Sequence, residues 1–165
     1  MSTRCIKVLL VFALVLSGLA GCASPKEIQY RERGLVVDIK ATADVNWFYK
    51  QPHTIALVFY QLSEPNIFNQ MLEDPEGVSV LLEGQSFDAS VKSRRKLVIQ
   101  PGESRVLTMD RAADVRYVGV VAGFYNRREG NFSRLYPAKL WKFIVWAGPR
   151  KTKLTLRLGK DGFLN

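Results

Sequence analysis

The chain is poor in the residues that most often carry chemistry. It has two cysteines, Cys5 and Cys22, and a single histidine, His53. Both cysteines fall within the first 22 residues. A cut in front of Cys22 removes Cys5, and a lipid on Cys22 occupies the other sulfur. What remains then has no thiol for a disulfide, a cysteine zinc site or a cysteine nucleophile. One histidine without cysteine needs carboxylates around it to hold a metal, and Asp44 is the nearest acid before it. Beside Pro52, at the start of an apolar run, His53 reads as a loop residue rather than a ligand or general base. A Ser-His-Asp arrangement would have to recruit that same His53. Glu73, Asp74 and Glu76 cluster without the alternating oxygen-ligand spacing of a calcium loop, and read as a solvated turn. No Gly-rich phosphate loop follows a strand, and no repeat or low-complexity tract is present. Glycosidase chemistry needs two carboxylates across a cleft, which a sequence does not exclude and nothing here supports; the reading is of a protein that is not an enzyme and carries no cofactor or metal.

Long apolar runs are also missing. The first 22 residues hold Arg4 and Lys7, then the uninterrupted run Val8–Leu16, then Ser17-Gly18-Leu19-Ala20-Gly21-Cys22. A spanning helix needs roughly 20 apolar residues, so Val8–Leu16 suits the core of a signal peptide instead. Leu19-Ala20-Gly21-Cys22 resembles the lipobox of bacterial lipoproteins. That resemblance implies cleavage before Cys22, a diacylglyceryl thioether on its sulfur and an acyl chain on the new amino group. Each buried methylene contributes about 0.8 kcal/mol, and two or more chains anchor stably. Ala23, in place of the aspartate that often retains lipoproteins at the inner membrane, points to the outer membrane, facing the periplasm. Loss of Arg4 and Lys7 lowers the formal net charge from +9 to +7, since no acid lies in that stretch. A basic balance ordinarily raises nucleic acid as a partner; export argues against it and leaves anionic lipid, an acidic protein or plain solubility.

The organisation predicted is a leader over residues 1–21, a lipidated linker over 22–33 with Pro25 and no periodicity, and one domain over 34–165. Leu35–Ala41 alternates, with Leu35, Val37, Ile39 and Ala41 on one side. Thr54–Leu62 and Arg116–Tyr125 are apolar on both faces and suit central strands. Lys92–Ile99 is a strand with Lys92, Arg94 and Lys96 outward. Gln100-Pro101-Gly102-Glu103 is a type II turn by its proline and glycine, with Ser104–Met109 as the partner strand of a hairpin. Lys139–Trp146 is a further strand, followed by a turn at Ala147-Gly148-Pro149-Arg150. Lys151–Leu158 alternates most cleanly, with Leu154, Leu156 and Leu158 inward. Ile67, Phe68, Met71 and Leu72 fall at helical spacing, with Ser63 as N-cap, Pro65 in the first turn and Asp74-Pro75-Glu76-Gly77 as the stop. Val78–Leu82 is too short to decide between helix and strand. The sum is a mainly β, antiparallel two-sheet sandwich with a short helical insertion.

Two features suit recognition. The connection Thr42–Pro52 is long for a hairpin loop and carries Trp47, Phe48 and Tyr49 in a row. Aromatic residues dominate binding hot spots, although one or two of these rings could equally plug the end of the sandwich. The second is the basic set Arg94, Arg95 and Lys96, with Arg127 and Arg128 in another loop. A solvated face is the default reading for such charges.

Ala56–Leu62 (ALVFYQL), a helical segment with Phe68, Val98–Ser104 (VIQPGES) and Tyr117–Phe124 (YVGVVAGF) follow one another behind the lipobox. In this order and spacing the chain resembles the TssJ (SciN/Lip) family, outer-membrane lipoproteins of the type VI secretion system. The resemblance runs from about Leu35 to Tyr125. It implies a transthyretin-like sandwich of two four-stranded sheets and no catalytic role. It also implies a partner, the periplasmic C-terminal region of TssM, within a complex that includes TssL. In the family the loop between the first two strands contributes to TssM binding, which corresponds here to Asp44, Asn46, Trp47, Phe48, Tyr49 and Lys50. Family loops often carry Asn-Pro followed by glycine, whereas here Trp47 follows Asn46 and Pro52 comes later. Phe132 stands where a tryptophan is expected. The competing class is a periplasmic lipoprotein that binds a small ligand or glycan on the same aromatic rings.

Overall fold

The computed structural model describes residues 28–128, 130–138 and 151–164. The leader, Cys22, the Lys139–Trp146 strand and the Ala147–Arg150 turn lie outside these residues. The elements run β1 (Arg31–Ala41), β2 (Ile55–Leu62), α1 (Asn66–Glu73), α2 (Pro75–Glu83), β3 (Val91–Ile99), β4 (Ser104–Arg111), β5 (Tyr117–Ala122), β6 (Ser133–Pro137), β7 (Thr152–Leu158) and β8 (Phe163–Leu164). They form two four-stranded sheets, ordered β4-β1-β7-β8 and β3-β2-β5-β6. Alternation explains the first sheet: Leu35, Val37, Ile39, Leu154, Leu156 and Leu158 are buried, while Lys153, Thr155 and Arg157 are exposed.

The central strands β2 and β5 of the second sheet are buried on both faces because that sheet is the middle of three layers. Along β2, Ile55, Leu57 and Phe59 alternate with Val58, Tyr60 and Leu62, all buried, and Tyr60 marks the side that faces α1 and α2. Tyr60, fully buried, donates its hydroxyl to the Leu81 carbonyl at 2.8 Å and packs on Phe68 and Phe87. Phe68 lies over Gly119, where a Cβ would meet the ring at 2.6 Å; glycine is what lets α1 sit down on β5. Each fully buried Leu, Val, Ile or Phe stabilises by about 1.5–3 kcal/mol, so two apolar faces make this sheet the centre of the core.

Several sequence expectations change. β1 begins at Arg31, inside the stretch read as linker to Arg33. There the Asp110 carboxylate accepts from the Arg33 amide at 2.8 Å and from the Tyr30 hydroxyl at 2.5 Å. Gln100–Glu103 makes its turn, with Gly102 at φ +72 and the Glu103 amide donating to the Gln100 carbonyl, but it does not close a hairpin. β3 pairs with β2 and β4 pairs with β1, so the turn carries the chain from one sheet to the other. Leu107 and Met109 of β4 pack against the core and Val106 points outward, 65% exposed. β1 and β7 run parallel, making the first sheet mixed. Ser63 does not cap α1, whose N-cap is Pro65 without a side-chain bond. Asp74-Pro75-Glu76-Gly77 ends α1 and also starts α2: Asp74 accepts from the Gly77 amide at 2.9 Å. That capping resolves Val78–Leu82 as helix.

Candidate partner-binding site

The chain enters the described fold at Ile28, whose carbonyl accepts from the Asp114 amide at the β4–β5 end. The β1–β2 connection lies at the other end of the strands. Val45 and Asn46 anchor it. Val45 is fully buried, and Asn46, 2% exposed at φ +50, uses both ends of its amide. Its Nδ2 donates to the Thr54 carbonyl at 2.8 Å and its Oδ1 accepts from the Tyr125 amide at 2.8 Å. Asn46 therefore ties the β1–β2 loop to the chain leaving β5. The Trp47 amide donates to the Lys160 carbonyl at 3.0 Å, tying the same loop to the β7–β8 turn.

Beyond these anchors the loop folds back on itself. Phe48 and Gln51 exchange backbone hydrogen bonds of 2.9 and 3.1 Å. Tyr49 and Lys50 between them lie at φ +46 and +62. Positive φ at both central positions is the type I′ turn, normally built from Asn-Gly. A side chain with a Cβ in this region costs on the order of 1 kcal/mol, so the tip is strained twice over. The result is a ring held out in solvent: Tyr49 is 82% exposed.

Beneath Tyr49 the aromatics pack on one another. Phe48 meets Tyr49 edge-on at 4.3 Å and stacks on Tyr125 at 4.5 Å with 9° between planes. His53 abuts Tyr125 edge-on at 5.1 Å and its Nε2 lies 3.1 Å from the Phe48 carbonyl. Lys160 Nζ sits 5.3 Å from the Trp47 ring. Pairs of this kind contribute about 0.5–1.5 kcal/mol each beyond area burial. Three loops thus converge on one aromatic cluster.

Of the site residues read from the sequence, Asp44, Tyr49 and Lys50 are exposed, Trp47 and Phe48 are half-buried, and Asn46 is buried. Trp47, Phe48 and Tyr49 therefore divide between packing and presentation. Cys22 lies outside the described residues. Tyr125, 55% exposed, and Lys160 belong to the cluster but were not legible as such: Tyr125 is 79 positions from the Asn46 that holds it. The two basic groups are not brought together. Arg94, Arg95 and Lys96 lie on β3, at the opposite edge of the sheet from β6, whereas Arg127 and Arg128 lie in the β5–β6 loop. Among the described residues, no group of three or more His, Cys, Asp or Glu side chains is placed to hold a metal ion.

Comparison with known proteins gives a consistent family. Solved structures of similar fold include TssJ1, a type VI secretion lipoprotein from Pseudomonas aeruginosa (TM-score 0.60, 18% identity, covering 83% of this chain and 94% of that one). Lip of Serratia marcescens, a membrane-bound component of the type VI secretion system, is another (0.61, 22%, 79% and 94%). A third match is to a structure of the type VI secretion protein TssM C-terminal domain from EAEC (0.63, 16%, 79% and 94%). No curated protein matches the chain by sequence. The model of the type VI secretion lipoprotein family, which includes VasD, EvfM and TssJ, matches residues 33–161. The chain is a member of that family, a lipoprotein component of the type VI secretion system.

Proposed function

We propose that this lipoprotein anchors the periplasmic C-terminal region of a TssM protein to the outer membrane, as the outer-membrane part of a complex that also contains TssL. In this reading residues 1–21 are removed, Cys22 carries the acyl chains, and a short linker leads to a non-catalytic periplasmic domain. Membership of the type VI lipoprotein family supports the pathway. The observation that carries the binding site is the strained Phe48–Gln51 turn, which holds Tyr49 in solvent on a packed aromatic base. Strain of this kind persists where surrounding structure over-determines it, and it clusters at binding sites. The tip also stands at the end of the strands away from Ile28, where the tether joins, so it is presented away from the anchor. Tethering both partners raises their effective concentration, so a modest intrinsic affinity suffices.

A glycan platform needs open ring faces. Phe48 and Tyr125 spend a face each on one another, which favours a protein contact. The test is calorimetry of the domain against a periplasmic TssM fragment, with Trp47, Phe48 and Tyr49 changed to alanine singly. We expect Tyr49→Ala to weaken binding at least about tenfold, as a central aromatic anchor does, without loss of folding. Unchanged affinity in all three variants would remove the loop from the interface.

A further inference from the structure

A dense set of positive charges lies on β3. Lys92, Arg94, Arg95 and Lys96 are all exposed, four cations in five positions. The ion pairs found among the described residues, Lys40 with Asp38 and Arg105 with Glu103, involve none of them. β3 is an outer strand of its sheet, so these side chains flank an edge with no neighbouring strand among the described residues. Arg94 and Lys96 pair with Tyr60 and Val58 on the helical side, and Arg95 pairs with Phe59 on the other. The cations therefore line both sides of one edge. Gly84, which follows α2, lies against Lys96, and the neighbouring Glu83 carboxylate accepts from the Gln85 side-chain amide at 2.5 Å.

The tether reaches this same region. Ile28 accepts from the Asp114 amide, and the neighbouring Arg116 amide donates to the Leu62 carbonyl. Leu62 is paired with Val91, the first residue of β3. The ladder thus begins at the end where the chain comes in. Cys22 is six positions before Ile28, and at 3.3–3.6 Å per residue that length spans about 20 Å at most. A domain tied at that length stands close to the surface that holds Cys22.

We infer that the β3 edge, through Lys92, Arg94, Arg95 and Lys96, contacts anionic phospholipid headgroups of the leaflet in which Cys22 is anchored. The inference rests on the acylation of Cys22 proposed above. Charge complementarity and tether length both favour lipid as the occupant. A second copy of the chain is disfavoured, because it would set two basic ladders against each other. The contact adds little to residence, which the acyl chains supply. Its effect is on orientation: it fixes the roll of the domain about its tether and so aims the Tyr49 tip.

The experiment uses the acylated full chain in vesicles of phosphatidylcholine alone and of phosphatidylcholine with phosphatidylglycerol. Flotation checks attachment, and pulsed amine acetylation read by mass spectrometry compares Lys92 and Lys96 with Lys50 and Lys160. Lys92 and Lys96 should react about threefold or more slowly in the anionic vesicles, with Lys50 and Lys160 unchanged. Salt at about 0.5 M should restore the rates, and R94E/R95E should lose the protection. Equal rates for floated protein in both vesicles overturn the inference alone. Protection that appears only on adding a periplasmic TssM fragment also overturns it, and assigns the edge to protein. Failure to float in either vesicle sinks the anchor reading, and this inference with it.

Discussion

Asn46 and Tyr49 sit three positions apart and do opposite work. The Asn46 amide satisfies one backbone group from its own loop and one from the chain after β5. Removing it leaves the Thr54 carbonyl and Tyr125 amide without partners in a part-buried site, so Asn46→Ala should destabilise the domain by about 1–3 kcal/mol. Denaturant unfolding reads that loss as a lower midpoint with unchanged slope. Tyr49 and Lys50 are the reverse case. Both lie at positive φ, where Asn-Gly fits better. Y49N/K50G should therefore keep or raise the unfolding free energy, by up to about 1 kcal/mol, while weakening binding to the TssM fragment. A variant that grows more stable as it loses its partner marks a position kept for contact rather than for folding. If binding survives the double change, the exposed ring is not the anchor.

Elements in this fold are placed by what they bury, not by the turns that join them. Pro101-Gly102 specified a reversal, and a reversal occurred, yet β3 and β4 entered different sheets. β4 pairs with β1, setting Met109 opposite Leu35 and Leu107 opposite Val37. The helical layer is placed in the same way. Phe68 of α1 fills the space that a side chain at position 119 would need. Gly119→Ala should cost about 1–3 kcal/mol by overpacking, measured by thermal or denaturant unfolding. The smaller ring-free Phe68→Leu in that background should recover part of the loss, because residues in contact are not additive. Equal and additive losses would mean that α1 does not depend on this contact.

At the scale of the whole molecule, the three layers make stability sensitive to alkali. Burial pushes the Tyr60 hydroxyl from 10.0 to about 12, with Arg94 pulling it partly back. Burial likewise raises Tyr136. A raised phenol favours the neutral form in the fold, so its contribution is complete below pH 10 and is lost as pH rises towards 12. For Tyr60 this amounts to at most about 2 kcal/mol once screening is allowed for. Unfolding free energy should hold up to pH 10 and fall above it. Tyr60→Phe should flatten that fall while starting from a lower plateau, since it gives up the bonds to Leu81 and Gln85. A wild-type curve that stays flat to pH 11.5 would contradict the burial of these hydroxyls. The length of β1 also separates the two ends of the molecule: Ile28 and Arg33 lie against Asp114 and Asp110, and the aromatic tip stands at the far end of the strand.

Much of this was legible residue by residue. Leu154, Leu156 and Leu158 alternate with charges because a strand's side chains alternate, and they are buried accordingly. The doubly apolar β2 and β5 had to lie between two layers, and Trp47–Tyr49 had too many adjacent rings for one core. These features depend on local period and composition, which the sequence carries. It did not carry the sheet to which β4 belongs, the parallel pairing of β1 with β7, or the presence of Tyr125 beneath Phe48. Each is a choice of neighbour between segments far apart in the chain, and identical alternation fits several neighbours. Packing of the buried faces selects one, and only the tertiary structure records that selection.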